Sequence, residues 1–280
     1  MNRFTSLMVL LVFILSLTVH LYWQQRPTDQ LKITALNVGQ GDAIYLRTPQ
    51  GNDILIDGGP DRTLVSELGR VMPIGDRQIE LVIATHPDAD HIGGLSELAP
   101  YWTVNTLIDS GAINDTKVQT AYNTWADSVT EIRQVRAGDR LEIEPDLVIK
   151  FLNPTGQITP DVNDQSVVAL LEYRNFKALF TGDASTLVEQ RLLDERLLGH
   201  LDLLKVSHHG SKTGTSEAML AATTPKVALV SVGKDNSYGH PHSAVIYRLQ
   251  QVSAQIWRTD LIGRVTCLTN GGQPACRGSM

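Results

Sequence analysis

Short apolar runs alternate with amphipathic stretches along the chain, and most of the runs end abruptly at Gly, Asp or His. Residues 32–38 and 42–47 read as two strands joined at Gly39-Gln40-Gly41, and residues 53–56 as a third that leads into Asp57-Gly58-Gly59. Residues 62–70 carry a helical period, 79–84 form a buried strand, and 92–98 a helix leaving the loop between them. Further strands are expected at 106–109, 140–143 and 147–152, with a helix over 118–128. A hairpin follows at 167–173 and 177–180, then a helix over 187–198, strands at 203–206 and 227–232, and a helix over 244–251. Strands at 255–257 and 265–268 close the sheet.

Residues 4–23 break this rhythm, being about twenty residues without an acidic or basic charge, the length that crosses a bilayer. Arg3 precedes them, and Tyr22-Trp23 follow as an interfacial belt would. Because no small-x-small cleavage site follows Leu17, we read an uncleaved anchor, a cleaved signal segment being the alternative. The chain then divides into an anchor or signal segment at 1–23, a linker at 24–30 and one domain at 31–280.

With 280 residues and 42% hydrophobic content the chain can bury a sizeable core, which excludes a disordered or fibrous protein. The net charge of −6 argues against sequence-independent adhesion to nucleic acid over the whole surface. Cys267 and Cys276 flank a short loop that suits a disulfide, which persists only in an oxidising compartment; two free thiols are the other possibility.

The chemistry concentrates in Thr85-His86-Pro87-Asp88-Ala89-Asp90-His91-Ile92-Gly93-Gly94, two imidazoles and two carboxylates directly after a buried strand. In an extended loop His86 and Asp88 point the same way and can share one ion, while Asp90 and His91 turn toward a second. A helix N-cap at Asp90 is the bland alternative, but capping requires one acid and no histidine. The same logic recurs at Asp57, Asp183 and His208, each just beyond an apolar strand, where open α/β sheets bind ligands.

These residues resemble the metallo-β-lactamase superfamily, which implies an α/β fold, an αββα sandwich, here with an N-terminal anchor or signal segment. Asp57-Gly58-Gly59 resembles the first motif, His86-Pro87-Asp88-Ala89-Asp90-His91 the second, Asp183 the fourth and His208 the fifth. Asp88 stands where the superfamily commonly has histidine. That departure, with Asn37-Val38-Gly39-Gln40-Gly41-Asp42, Asn163-Asp164-Gln165-Ser166, His208-His209-Gly210-Ser211 and Tyr238-Gly239-His240-Pro241, is similar to the hydrolase domain of ComEC-type DNA-uptake competence proteins.

The resemblance implies two divalent ions, manganese or zinc, held by His86, Asp88, Asp90, His91, Asp183 and His208, with Asp183 bridging. Carboxylate for imidazole at Asp88 hardens the site and moves preference toward manganese. It further implies Asp90 and His240 as catalytic, His240 meeting substrate or leaving group. Asp57, Asn163, Asp164, Ser166 and His209 fall behind the ligands or against substrate, with Asp164 a ligand or an ordinary turn residue, and His242 structural. Lys205, Lys212 and Lys234 could meet phosphate or be solvated. Two ions sharing a water of lowered pKa suit in-line attack on a phosphodiester.

The function expected is therefore a membrane-tethered metal-dependent phosphodiesterase or DNase outside the cytoplasm. Its expected partners are single-stranded DNA, the membrane and a separate channel protein, since one span leaves no room for the channel itself. The rival enzyme is a small-molecule hydrolase acting on a phospholipid headgroup, cyclic nucleotide, lactone or β-lactam, which should show a closed pocket roofed by residues 112–128. A binding module with a structural metal is the non-enzymatic rival.

Overall fold

The structure, a computed structural model, describes residues 3–25, 28–157 and 159–279. Its strands in chain order are β1 (Leu31–Ala35), β2 (Ile44–Arg47), β3 (Asp53–Ile56), β4 (Gln78–Ala84), β5 (Thr103–Asp109), β6 (Glu131–Gln134), β7 (Arg140–Glu144), β8 (Leu147–Asn153), β9 (Val168–Tyr173), β10 (Phe176–Phe180), β11 (Leu203–Lys205), β12 (Val227–Val230), β13 (Gln255–Arg258), β14 (Val265–Thr269) and β15 (Ala275–Gly278). The helices are α1 (Arg3–Gln25), α2 (Thr63–Val71), α3 (Ala89–Ile92), α4 (Lys117–Ala126), α5 (Thr186–Asp194), α6 (Glu217–Thr223), α7 (Ser243–Gln251) and α8 (Thr259–Ile262).

Two mixed sheets result, ordered β15-β14-β1-β2-β3-β4-β5-β6 and β13-β12-β11-β10-β9-β8-β7. Successive strand residues point to opposite faces, so Ile33, Ile54, Ile56 and Ile83 meet Phe151, Leu171, Phe180 and Leu229 in a core between the sheets. The alternate set in the first sheet, including Tyr45, Leu55 and Val82, packs under α2 and α4 through Leu64, Leu68 and Trp125. In the second sheet Leu179, Leu204 and Val230 pack under α5, α6 and α7 through Val188, Met219 and Leu249. The layers are thus helix, sheet, sheet, helix, with apolar residues on both faces of every central strand.

Strands β3, β4 and β5 run parallel, as do β10, β11 and β12. Their carboxyl ends therefore release Asp57, His86, Asp183 and Ser207-His208-His209 along one rim.

Several boundaries differ from the sequence expectation. The helix expected over 92–98 is a short α3 beginning at Ala89 and then a 3₁₀ turn, Gly93–Glu97. The turn is tight because a Cβ on Gly94 would lie 2.2 Å from the Gly58 carbonyl oxygen, so this segment is pressed against the Asp57 loop. α5 stops at Asp194 rather than 198, where Arg196 adopts φ 56° and Leu197 N–H donates back to the Leu192 carbonyl at 2.9 Å. That is a helix-ending motif with arginine in the place glycine usually takes. β6 carries no apolar run, all four of its residues being exposed at the sheet edge, and gave no signal. β15 and α6 were likewise unread; Ser216 caps α6 by accepting from Met219 N–H at 3.1 Å.

α1 is continuous over 23 residues, and its apolar side chains from Phe4 to Leu15 are exposed. Side chains are described without a break only over residues 4–16, and among the described residues no helix is long and apolar enough to cross a membrane. The expected interfacial residues Tyr22 and Trp23 lie outside the described side chains.

Cys267 and Cys276 face each other across β14 and β15 and form a disulfide. Closing so short a loop removes unfolded-chain entropy worth about 2–3 kcal/mol. Denaturation with and without reductant should show a loss of that size, and thiol labelling of the unreduced, unfolded chain should find no reactive cysteine.

Candidate metal centre

Asp57 emerges from β3 with φ 58°, a left-handed conformation that Asp tolerates better than most residues. It is buried, and its carboxylate accepts from Thr85 N–H at 2.7 Å, Thr85 Oγ1–H at 2.7 Å and His91 Nδ1–H at 2.8 Å. Because the Thr85 hydroxyl donates to Asp57, its oxygen is left to accept from His86 Nδ1–H at 3.0 Å. One carboxylate thereby sets the tautomers of both imidazoles and turns each Nε2 lone pair outward.

Those two atoms meet Asp183, which arrives from β10 and is fixed by its own N–H donating to Ser166 Oγ at 3.2 Å. His91 Nε2 lies 3.3 Å from Asp183 Oδ1, and the rings of His86 and His91 are 4.1 Å apart. His86, His91 and Asp183 each offer a ligand atom within 4.8 Å of the others. His86 Nε2, His91 Nε2 and Asp183 Oδ1 are also buried with no hydrogen-bond partner. Leaving such groups unpaired costs about 1–3 kcal/mol each, so a site that gathers three of them is built for an ion.

A second group joins Asp90, His91 and His209. His209 is buried, its Nδ1–H donates to the Ser231 carbonyl at 3.0 Å, and its Nε2 lies 3.2 Å from Asp90 Oδ2. His208 and His209 both turn into the centre because both have positive φ, 49° and 53°. His208 Nε2 lies 3.6 Å from Asp183 Oδ2, and Asp88 Oδ2 lies 3.6 Å from His86 Nε2, with Asp88 also accepting from Asn114 Nδ2–H at 3.0 Å. Asp88 and His208 thus flank the first group without belonging to either.

The remaining candidates divide. Ser166 braces Asp183, while Asn163 Oδ1 and Asp164 Oδ1 are buried without partners in the 3₁₀ turn preceding β9. His240 packs its ring edge-on against His208 at 5.8 Å, and its Nδ1 is buried and unpaired. His242 instead caps α7, its Nδ1 accepting from Ala244 N–H at 3.4 Å.

Two residues that sequence reasoning gave no part in the centre lie behind it. Asp42 is buried and paired with the ammonium of Lys205, and its Oδ1 is 3.3 Å from His209 Nδ1. Lys205, expected as a solvated or phosphate-facing lysine, is a buried ion-pair partner, 4.0 Å from Asp183 and donating to the Gly182 carbonyl. Gly41 permits this packing: at φ 137° it would place a Cβ 2.2 Å from the Asp90 carbonyl oxygen, to which Asp42 N–H donates at 3.1 Å.

The electrostatics follow from these distances. Burial alone would raise the Asp42 carboxyl, yet Lys205 and His209 bring it down to about 2. Burial disfavours a charged His209, yet Asp183 and Asp42, with the hydrogen bond to Asp90, lift it to about 9. His91 is lifted in the same way by Asp183 and Asp57 against its burial. Without an ion, then, protons on His91 and His209 balance part of the charge of Asp42, Asp57, Asp88, Asp90 and Asp183.

Two clefts reach the centre. One, of about 220 Å³, lies beside His86 under α4, between Asp109, Gly111, Gln119 and Tyr122. The other is an open groove of about 680 Å³ lined by Asn37, Gln40, Asp61, Asp90, Lys234 and Tyr238.

A family model described as the metallo-beta-lactamase superfamily matches residues 36–234. The chain is 32% identical over 252 residues to ComE operon protein 3 of Bacillus subtilis, covering 84% of this chain and 32% of that one. It is 29% identical over 258 residues to Competence protein ComA of Neisseria gonorrhoeae, covering 90% and 34%. The chain therefore spans about a third of the length of the curated relatives it matches. Zinc-bound PqqB from Methylobacterium extorquens superposes with a TM-score of 0.54 at 14% identity over 82% of this chain and 97% of that one, a likeness of fold.

Two outcomes test the site. Metal must displace the protons on His91 and His209, so apparent affinity should rise with pH up to about 9, with proton release visible when calorimetric titrations are repeated in buffers of different ionisation enthalpy. Asp42→Asn, which strands Lys205, should destabilise the metal-free chain by about 3–5 kcal/mol near pH 6. Since the folded Asp42 titrates at about 2 and the unfolded group at 3.8, that contribution is complete above pH 3.8 and should disappear as pH falls through 2 in urea titrations.

Proposed function

Because the chain belongs to the metallo-β-lactamase superfamily, we propose that it is a metal-dependent phosphodiesterase that cleaves DNA. The observation that carries this is the set of buried, unpaired ligand atoms of His86, His91 and Asp183, gathered beside Asp90, which lines an open groove. Similarity to proteins named for competence supports DNA as the substrate.

His86, His91 and Asp183 would hold one divalent ion and Asp90 with His209 the adjoining position, Asp88 and His208 completing the exposed side. When bound, such ions supply Lewis acidity toward a phosphoryl oxygen and lower the pKa of water toward neutrality. Asp88 adds a carboxylate to this set, which favours a hard ion such as manganese without excluding zinc.

The chain's own groups do the positioning. Asp57 holds His86 and His91 in their tautomers, and Ser166 holds the Asp183 backbone. His240 is kept neutral by its partial burial and by the neighbouring His208 and His209, so its ring can hydrogen-bond a substrate or leaving-group oxygen. Asp90, the carboxylate of the centre that lines the groove, is held ionised, its burial outweighed by His209 and His91.

The small cavity beside His86 is the observation behind a second reading, a small-molecule hydrolase, because Ala112, Ile113 and Tyr122 from the segment expected to roof such a pocket line it. Its lining by Asp109, Gln119 and Asn123 makes it more polar than an apolar ligand requires.

We further place the domain outside the cytoplasm on the N-terminal helix. The Cys267–Cys276 disulfide supports an oxidising compartment and the apolar exposed face of α1 supports a membrane anchor.

The test uses the full chain in detergent, stripped of metal and reloaded with manganese or zinc, on labelled single- and double-stranded DNA. Metal-dependent cleavage should vanish in His86→Ala and fall about 10–100-fold in Asp57→Asn, which disturbs only the support of the ligands. Intact DNA beside a hydrolysed lactone or small phosphodiester would overturn the nuclease reading in favour of the second.

A further inference from the structure

We propose that the open groove lined by Asp90 binds an unpaired nucleobase, with the ring of Tyr238 as its stacking surface. This rests on the phosphodiesterase reading and names the form of substrate that the centre accepts.

Tyr238 is 68% exposed although it sits on the wall of the groove beside the centre. One face of its ring lies on His240, with centroids 5.8 Å apart and planes 26° from parallel. His240 in turn stands edge-on to His208, also at 5.8 Å. The free face of Tyr238 is thus the outer end of a stack whose inner end is a residue of the centre.

The stack is braced rather than loose. Asn236 Nδ2–H donates to the carbonyls of Gly233 at 3.0 Å and His240 at 2.6 Å. Its Oδ1 accepts from the N–H groups of Tyr238 at 3.2 Å and His240 at 3.0 Å. Gly233 N–H donates to Gln40 Oε1 at 3.1 Å, tying this loop to the Gln40 turn packed against it. The backbone that carries the ring is thereby fixed before any ligand arrives, which lowers the ordering cost of stacking.

Charge then discriminates among occupants. Lys234 is the one cation lining the groove among the described residues, against Asp61 and Asp90. A ligand recognised through a run of phosphates would need a basic track there, whereas a π face needs only the ring, and every base has one. In a duplex both faces of an internal base are covered by its neighbours. Only an unpaired or fraying base can reach Tyr238.

Fluorescence anisotropy on the full chain in detergent, using chelator-treated protein and metal-loaded His86→Ala, measures binding of labelled oligothymidylate and of a blunt duplex. Tyr238→Ala should weaken single-strand binding about tenfold or more. Tyr238→Phe and Tyr238→Trp should retain it, and duplex binding should not respond. The salt slope for the single strand should be shallow, near −0.7 for one phosphate at Lys234, and should flatten in Lys234→Ala. Unchanged binding in Tyr238→Ala, or a Phe variant as weak as the Ala variant, overturns the stacking site. A chain that cleaves DNA yet shows either result overturns this site alone, whereas one that neither binds nor cleaves nucleic acid overturns the phosphodiesterase reading as well.

Discussion

The whole rim depends on how Asp57 spends its lone pairs. Three donors from one loop converge on it, Thr85 N–H, Thr85 Oγ1–H and His91 Nδ1–H, and the Thr85 hydroxyl passes the constraint on to His86. An imidazole with either nitrogen protonated has nearly the same energy, so without this network each ring could present a proton where a lone pair is needed. The strained φ of 58° at Asp57 is the local consequence: the carboxylate can face the next strand's loop only if the backbone turns left-handed at the end of β3. The parallel pairing of β3 with β4 then fixes the register between the two loops, so strand geometry and imidazole chemistry are one constraint.

Behind that layer the Asp42–Lys205 pair carries the electrostatics. Five carboxylates within one rim repel each other strongly, and burial strengthens the repulsion. A fixed ammonium on the inner side offsets part of it permanently, and removable protons on His91 and His209 offset another part only until a cation arrives. The division has a physical logic: Lys205 stabilises the empty scaffold, while the protonated rings are the positions an ion can claim. A site neutralised wholly by lysines would fold well and bind no metal.

The strand ends were legible in sequence because β3, β4, β10 and β11 are buried on both faces, so each reads as a continuous apolar run that stops at a ligand type. Asp42 follows a glycine turn rather than such a run, and nothing local distinguishes it from a turn aspartate. Lys205 ends the run Leu203-Leu204-Lys205, where lysine reads as solvated unless its partner from 163 residues earlier in the chain is known. His209 reads in sequence as a residue behind the ligands rather than among them for a different reason. Adjacent residues in an extended segment point apart, and only the two left-handed conformations at His208 and His209 bring both rings inward. The early end of α5 at Arg196 belongs to the same class, since left-handed backbone at a residue other than glycine leaves no compositional mark.

What a shared fold leaves open is substrate, and here the two approaches to the centre differ in a way that chemistry can use. Ligand pockets for small molecules generally enclose about 300–1,000 Å³; the cavity beside His86, at about 220 Å³, falls below that and is walled by α4 and the loop before it. It has room for solvent or a small leaving fragment, not for a polymer. The groove at Asp90 is about three times larger and more open to solvent. On the phosphodiesterase reading the two spaces differ in what they suit: the larger groove on the Tyr238 side fits an extended substrate, and the smaller one near His86 fits the smallest reactant.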